Sequence, residues 1–282
     1  MKISLNHKDI IFFQSLILKE YGIISNEADK AIIEEKLSRL ILEENCKSFK
    51  EFYLKLKSDF SSDLKNKIIN LVSNLDTSWF RDVETWTFFR ERVLPIYIDD
   101  LRKKKKENII IWSAGVSTGQ EAYSIAMLID ETIKKEPKIN PKQFFILGID
   151  ISPSALFLAS SGRYSQKMMS EGILKGYAEK HFTKNDNVFE IKPEIKKLVY
   201  FMNFDLQNDF KDLPIFDVIF CRNVISTFSK DLQIQICKKL SEKLDKNGYL
   251  FIGKDEALEN ISNDLERFDF QNVSYYKQKN KP

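Results

Sequence analysis

Between Asn108 and Ile252 the chain repeatedly writes a short apolar run, ends it on a polar or glycine-bearing turn, and often follows it with a helical segment. Ile109-Ile110-Ile111-Trp112 is followed by a turn with two glycines and then by the helical stretch Glu121–Lys134. Phe144–Ile149 ends at Asp150, and a helix starts behind Ser152-Pro153. Val199–Met202 and Phe216–Phe220 are further strand runs, a helix is expected over Asp231–Leu244, and a strand over Tyr249–Ile252 follows Asn247-Gly248. Strands that alternate with helices predict a doubly wound, largely parallel α/β sheet. Residues 165–198 interrupt the alternation, and His181-Phe182-Thr183 with Val188–Ile191 reads as a small inserted hairpin.

Upstream the rhythm is different. Apolar residues recur at helical spacing in Ile10, Ile11, Phe12, Leu16, Ile17, Leu18 and in Ile32, Ile33, Leu37, Leu40, Ile41, and the pattern continues through Phe49–Leu56 and Leu64–Leu75. With no Pro before Pro95 and only Gly22 among the glycines, this part predicts a small all-helical domain. A length of 282 residues suits two domains.

The charges nearly balance, 44 basic against 41 acidic, for a net +3, which argues against a dedicated nucleic-acid binder. Cys46, Cys221 and Cys237 form no CxxC pair and, with only His7 and His181, make a poor zinc set, so no metal is expected. No signal-peptide core or membrane span is legible, and a soluble cytoplasmic protein is the expectation. The run Lys103–Lys106 reads as a solvated lead-in to the first strand, with a binding patch as the alternative.

In an open α/β sheet, ligands bind beyond the carboxyl ends of strands, next to the topological switch point. The candidates gather at such ends. The turn Ser113–Gly119 permits close backbone approach, although a plain tight turn has the same glycines. Asp150 can accept both hydroxyls of a ribose, or it can cap the helix that follows, a role Ser152 fills better. Asp150 lies 35 residues after Gly115, against roughly 20 in the dinucleotide fingerprint, and the loop lacks GxGxxG. An adenosine-containing cofactor other than a nicotinamide fits better. Asp205-Leu206 can hold an adenine, Asp205 accepting from its amino group and Leu206 covering a ring face. Arg222-Asn223 follows a buried strand and is expected at the ligand edge. In Thr77–Asp82, the Arg81 guanidinium invites a carboxylate in bidentate geometry, as an interdomain salt bridge or as a ligand contact.

Together these motifs resemble the CheR family of chemotaxis receptor methyltransferases over nearly the whole chain. The similarity is carried by Thr77-Ser78-Trp79-Phe80-Arg81-Asp82, by Trp112 through Met127 (WSAGVSTGQEAYSIAM), by Asp150-Ile151-Ser152 with Gly162-Arg163-Tyr164, and by Phe216 through Val224 with Leu250–Gly253. The resemblance implies a Rossmann-like methyltransferase sheet with a small antiparallel β insert, preceded by an all-helical amino-terminal domain. Residues 1–75 would then recognise substrate, 76–107 would link and contribute to the cofactor site, and 108–282 would form the methyltransferase domain. It implies S-adenosylmethionine as cofactor, lined by Thr77, Arg81, Glu121, Asp150, Asp205, Leu206, Arg222 and Asn223, with Arg81 also steering the acceptor. The chain departs from the family pattern at Leu75, Gln120, Ala122, Asp205, Lys254-Asp255, and at Thr227, where the family carries Tyr.

The reaction so implied moves a methyl group to glutamate side chains of chemotaxis receptors, tuning adaptation. A glutamate with a pKa of about 4.3 is already an anion, so positioning rather than base catalysis is expected to dominate. The expected partner is the cytoplasmic helical region of a receptor, met by a monomer without membrane insertion. Lys30, Lys36 and Arg39 offer it a basic face, or form an ordinary solvated surface. The short segment Thr183–Val188 lacks glycine, so no tether to a receptor's carboxyl-terminal pentapeptide is expected. A weak or silent S-adenosylmethionine-binding regulator of the same fold is the alternative, suggested by Leu75 and Thr227.

Overall fold

The computed structural model describes residues 3, 5–24, 30–58, 62–73, 77–258 and 261–279; Leu75 and the Lys30 side chain lie outside the described residues. The chain divides into two compact units, Met1–Asn74 with Ser226–Gln233, and Leu75–Ile225 with Ile234–Pro282.

The smaller unit is built from the helices His7–Tyr21, Lys30–Glu43, Phe49–Ser58 and Ser62–Val72. Asn6 and Asp9 close a reciprocal capping box at the start of the first helix, and Gly22 ends it in the left-handed region. Phe13, Leu37, Ile41, Phe52 and Ile68 are fully buried, each on the inward face that helical spacing dictates. Glu44 is held by Lys55 at 2.5 Å and Lys67 at 2.7 Å, and these hydrogen bonds keep its pKa below the usual carboxylate range. Residues 226–233 join this unit through an antiparallel bridge between Ile23 and Phe228, with the Ile24 amide donating to Thr227 O at 2.7 Å.

Among the described residues the larger unit carries ten strands: β1 (Ile109–Ala114), β2 (Phe144–Asp150), β3 (Arg163–Ser165), β4 (Phe182–Asn185), β5 (Val188–Ile191), β6 (Val199–Asn203), β7 (Phe216–Cys221), β8 (Leu244–Ile252), β9 (Leu265–Phe270) and β10 (Val273–Gln278). Seven form one sheet in the order β6-β2-β1-β7-β8-β10-β9. Its first five strands are parallel, and β10 and β9 add an antiparallel edge. Every residue of β7 is buried, as a central parallel strand covered on both faces requires. The chain winds outward from β1 to β2 and β6, then returns to the far side of β1 as β7. The switch point therefore lies between the ends of β1 and β7.

The insert is a second sheet, β3-β5-β4, so the expected hairpin of β4 and β5 has a third strand from Arg163–Ser165. The stretch 76–107, read as a linker, instead supplies core. Its helices Val83–Phe88 and Leu94–Arg102 are joined by a π turn, Phe89–Val93, and bury Trp86, Phe88, Phe89, Val93, Leu94 and Tyr97. Of the lysine run, Lys103, Lys104 and Lys105 are exposed, as a solvated lead-in requires, and Lys106 departs from it. Lys106 pairs with Asp217 and with Asp245, while Asp217 accepts from the Ile110 amide at 2.7 Å and so fixes the start of β1.

Candidate active site

Every sequence-predicted site residue belongs to the larger unit, and most of them flank the switch point. The Gly115 and Val116 amides both donate to Ile149 O, at 2.9 and 2.8 Å, fastening the loop after β1 to the end of β2. Gly115 has φ +75°, and a Cβ there would sit 2.4 Å from Val224 Cγ2, so both backbone and space demand glycine. The Ser117 amide then donates to Asp150 Oδ2 at 2.8 Å. Asp150 Oδ1 accepts from the Ser152 amide at 2.9 Å, while Ser152 Oγ caps the next helix through Ala155 N. Burial pushes the Asp150 pKa up, and its backbone donors oppose the shift. Two carboxylate oxygens, with about four lone-pair sites between them, keep acceptor capacity beyond these backbone donors. Ser117 Oγ, buried beside it, has no hydrogen-bond partner among the described residues.

Arg222, at the end of β7, occupies the centre. Its side chain is 2% exposed. It donates to Asp82 Oδ2 at 2.5 Å, to Arg81 O at 2.8 Å and to Glu121 Oε2 at 3.4 Å, and it lies over the Trp86 ring at 5.3 Å. The guanidinium that Asp82 and the Trp86 ring hold is Arg222, not Arg81. Arg81 contributes its carbonyl, which also accepts from Trp86 Nε1 at 2.6 Å. The Arg81 side chain is half-buried, with no ion pair among the described residues. Glu121 receives Ser113 Oγ at 2.8 Å; at 14% exposure, burial raises its pKa against the pull of Arg222 and Ser113.

Asn223 presents its amide to Glu256 Oε2 at 2.7 Å, and the Gly253 amide reaches the same oxygen at 2.8 Å. One carboxylate oxygen ties the ends of β7 and β8 together. Sequence reasoning missed this role of Glu256; its one signal was a carboxylate three residues beyond Gly253. Beyond it, a cavity of about 220 Å³ is lined by Asp82, Glu84, Lys254, Asp255, Glu256 and Arg267, among others. Four residues around this edge, Phe80, Asp82, Ser117 and Asn223, hold positive φ without being glycine. Such strain persists only where surrounding contacts enforce it, and it concentrates at ligand sites.

Asp205 opens the loop after β6. Its oxygens accept from the Gln207 amide at 2.8 Å and Gln207 Nε2 at 3.3 Å. Phe204 N donates to Asp150 O at 3.0 Å, which sets this loop beside the Asp150 end of β2. Leu206 is buried. Thr77 is half-buried, and among the described residues no hydrogen bond joins it to the others. Away from this edge, Asp130, Glu131 and His181 group three metal-type ligands. His181 Nδ1 faces Asp130 at 3.6 Å and Nε2 faces Glu131 at 3.4 Å, and Lys134 and Lys180 already pair with the two carboxylates.

The edge so built offers two half-buried carboxylates, Asp150 and Glu121, and a glycine-floored loop, an acceptor set that fits a nucleoside carrying an amino-acid group. The family description "CheR methyltransferase, SAM binding domain" matches residues 75–274. A chemotaxis protein methyltransferase of Pseudomonas putida is 28% identical over 92% of this chain and 93% of the relative. That of Pseudomonas aeruginosa is 30% identical over 90% of this chain and 91% of the relative. That of Borreliella burgdorferi is 29% identical over 93% of each.

Proposed function

The chain belongs to the CheR methyltransferase family, and from that premise we propose that it methylates glutamate side chains in the cytoplasmic helical region of chemotaxis receptors. It is a methyltransferase, and S-adenosylmethionine is its cofactor. That cofactor supplies an electrophilic methyl group on a sulfonium sulfur. The observation that carries the reading is that two carboxylates drawn out of water flank the carboxyl end of β1, Asp150 through the Ser117 amide and Glu121 through Ser113.

Asp150 has acceptor capacity for a ribose diol, and Glu121 for an ammonium group. Asp205 accepts from the adenine amino group and Leu206 covers its ring. Arg222 holds Glu121 in place, Asn223 frames the end of β7, and Thr77 lines the approach. Arg81, uncommitted, steers the acceptor carboxylate. A clamp that gripped it too tightly would stabilise the ground state instead, so a half-buried guanidinium suits the task. The nucleophile needs no general base, and alignment with exclusion of water carries the rate.

The partner reading adds that the protein acts as a monomer and meets its receptor directly. What supports this is the turn between β4 and β5, only Asp186-Asn187 long, with Asp186 at φ 53°. So tight a turn offers no loop to wrap a carboxyl-terminal pentapeptide. Among the described residues, no helix is long and apolar enough to cross a membrane.

The test is incubation with methyl-labelled cofactor and receptor cytoplasmic fragments. Label is expected on glutamates and absent when those glutamates are replaced by alanine. Tight binding of S-adenosylhomocysteine without transfer to any fragment would overturn the receptor assignment.

A further inference from the structure

The crossover from β6 to β7 contains no helix: residues 204–213 are turns and irregular chain. Irregular backbone leaves carbonyls without ladder or helix partners, and these need donors from elsewhere. One side chain supplies most of them. Lys239, on the helix Lys230–Lys243, places its Nζ 2.6 Å from Leu206 O, 3.1 Å from Gln207 O and 2.8 Å from Asn208 O. An ammonium has three donors, and here they meet three consecutive carbonyls. The same Nζ lies 4.5 Å from the centre of the Phe210 ring. One turn on, Lys243 Nζ reaches Lys211 O at 3.1 Å and Leu213 O at 2.6 Å, holding the far end of the loop.

We propose that Lys239 is a positioning residue for the cofactor's adenine, its ammonium gathering the carbonyls of residues 206–208 so that Asp205 and Leu206 present the ring-binding surface. This rests on the reading that Asp205-Leu206 hold the adenine. The lysine touches backbone only, so it sets shape without contributing a ligand contact of its own. The charge matters because a charged donor is about twice as strong as a neutral one, and a single ammonium here serves three consecutive carbonyls. Burial also lowers the Lys239 pKa, with Asp205 and Asp209 opposing the shift, so alkaline solution releases the clamp before it would release an exposed lysine.

The experiment measures binding of S-adenosylhomocysteine and of its hypoxanthine counterpart, S-inosylhomocysteine, to the full chain. The parent discriminates between them because Asp205 accepts from the 6-amino group. Lys239→Met is expected to weaken S-adenosylhomocysteine binding about tenfold, the loss of one charge-assisted contact, and to erase most of the discrimination. The affinity ratio between Lys239→Met and parent should shrink toward one as pH rises through the alkaline range. A folded Lys239→Met with parental affinity and parental discrimination overturns the proposal. Asp205→Ala with undiminished discrimination instead removes the adenine reading on which it rests. Should Lys239→Met fail to fold, Lys239→Gln, which keeps a neutral donor, decides at neutral pH: parental affinity and parental discrimination in that variant overturn the clamp.

Discussion

Arg222 and Asp82, distant in sequence, meet at 2.5 Å with the guanidinium 2% and the carboxylate 25% exposed. The pair joins the end of β7 to the turn that opens the helix Val83–Phe88. Removing one partner of a buried pair strands the other charge, at a cost of about 3–5 kcal/mol when both are fully buried. Asp82 is partly wet, so Asp82→Ala is expected to cost the larger unit about 2 kcal/mol in denaturant unfolding. A loss below about 0.5 kcal/mol would mean that Glu121, the Arg81 carbonyl and Trp86 suffice to hold Arg222.

Arg81→Ala should behave in the opposite way. Its guanidinium has no ion pair among the described residues, and the carbonyl that Arg222 and Trp86 use survives the substitution. Thermal melting should therefore stay within about 0.5 kcal/mol of the parent, as for a surface substitution. Transfer should fall by about 10²-fold, the scale of a lost positioning contact. A lowered melting temperature with normal turnover per folded molecule would make Arg81 structural.

Gly115→Ala faces two obstacles, the positive φ and a Cβ 2.4 Å from Val224 Cγ2. The overpacking part costs about 1–3 kcal/mol and should be relieved by Val224→Ala in the double variant. The backbone part, about 1 kcal/mol, should remain. Full rescue by Val224→Ala would show that φ is not a constraint here, and no rescue would show that Val224 is not the obstacle.

His181 gives the larger unit a pH dependence. It is 1% exposed, faced by Asp130, Glu131, Lys134, Lys180 and Tyr177, and burial holds its pKa below 6.5 despite the two carboxylates. The unfolded chain then takes up the proton first. The stabilisation is complete above the unfolded value of about 6.5 and is lost as pH falls through the lowered folded value. Denaturant unfolding of parent and His181→Gln at pH 7.5 and pH 5.5 should show the gap between them narrowing in acid. A gap that widens would mean that the carboxylates win over burial.

The strands of the sheet were legible because parallel strands covered on both faces read as near-continuous apolar runs, and β1, β2 and β7 do so but for Ser113, Asp150 and Asp217. The polar residues just past them, Asp150 and Arg222-Asn223, then had to stand at the ligand edge. What was not legible is which way two neighbours point. Phe80 and Asp82 both adopt positive φ, and that reversal turns the Asp82 carboxylate toward Arg222 and leaves Arg81 only its carbonyl there. No periodicity announces such a turn. The stretch 76–107, which the resemblance gave as a linker, shows no single helical period, because the π turn Phe89–Val93 adds a residue to the helical repeat. The edge strand β9 escaped notice because most of its side chains are exposed.

The two margins of the seven-stranded sheet are protected very differently. β9 closes one with Glu266, Arg267 and Asp269, charges that discourage a second chain from adding its own strand. β6 closes the other with Val199, Tyr200, Phe201, Met202 and Asn203, no charge among them, and Tyr200 is 57% exposed. Its outer ladder of backbone donors and acceptors makes β6 the margin where crowded molecules would first adhere. A lysine in place of Tyr200, on that exposed position, is the smallest change that would keep concentrated preparations dispersed without disturbing the methyl-transfer edge.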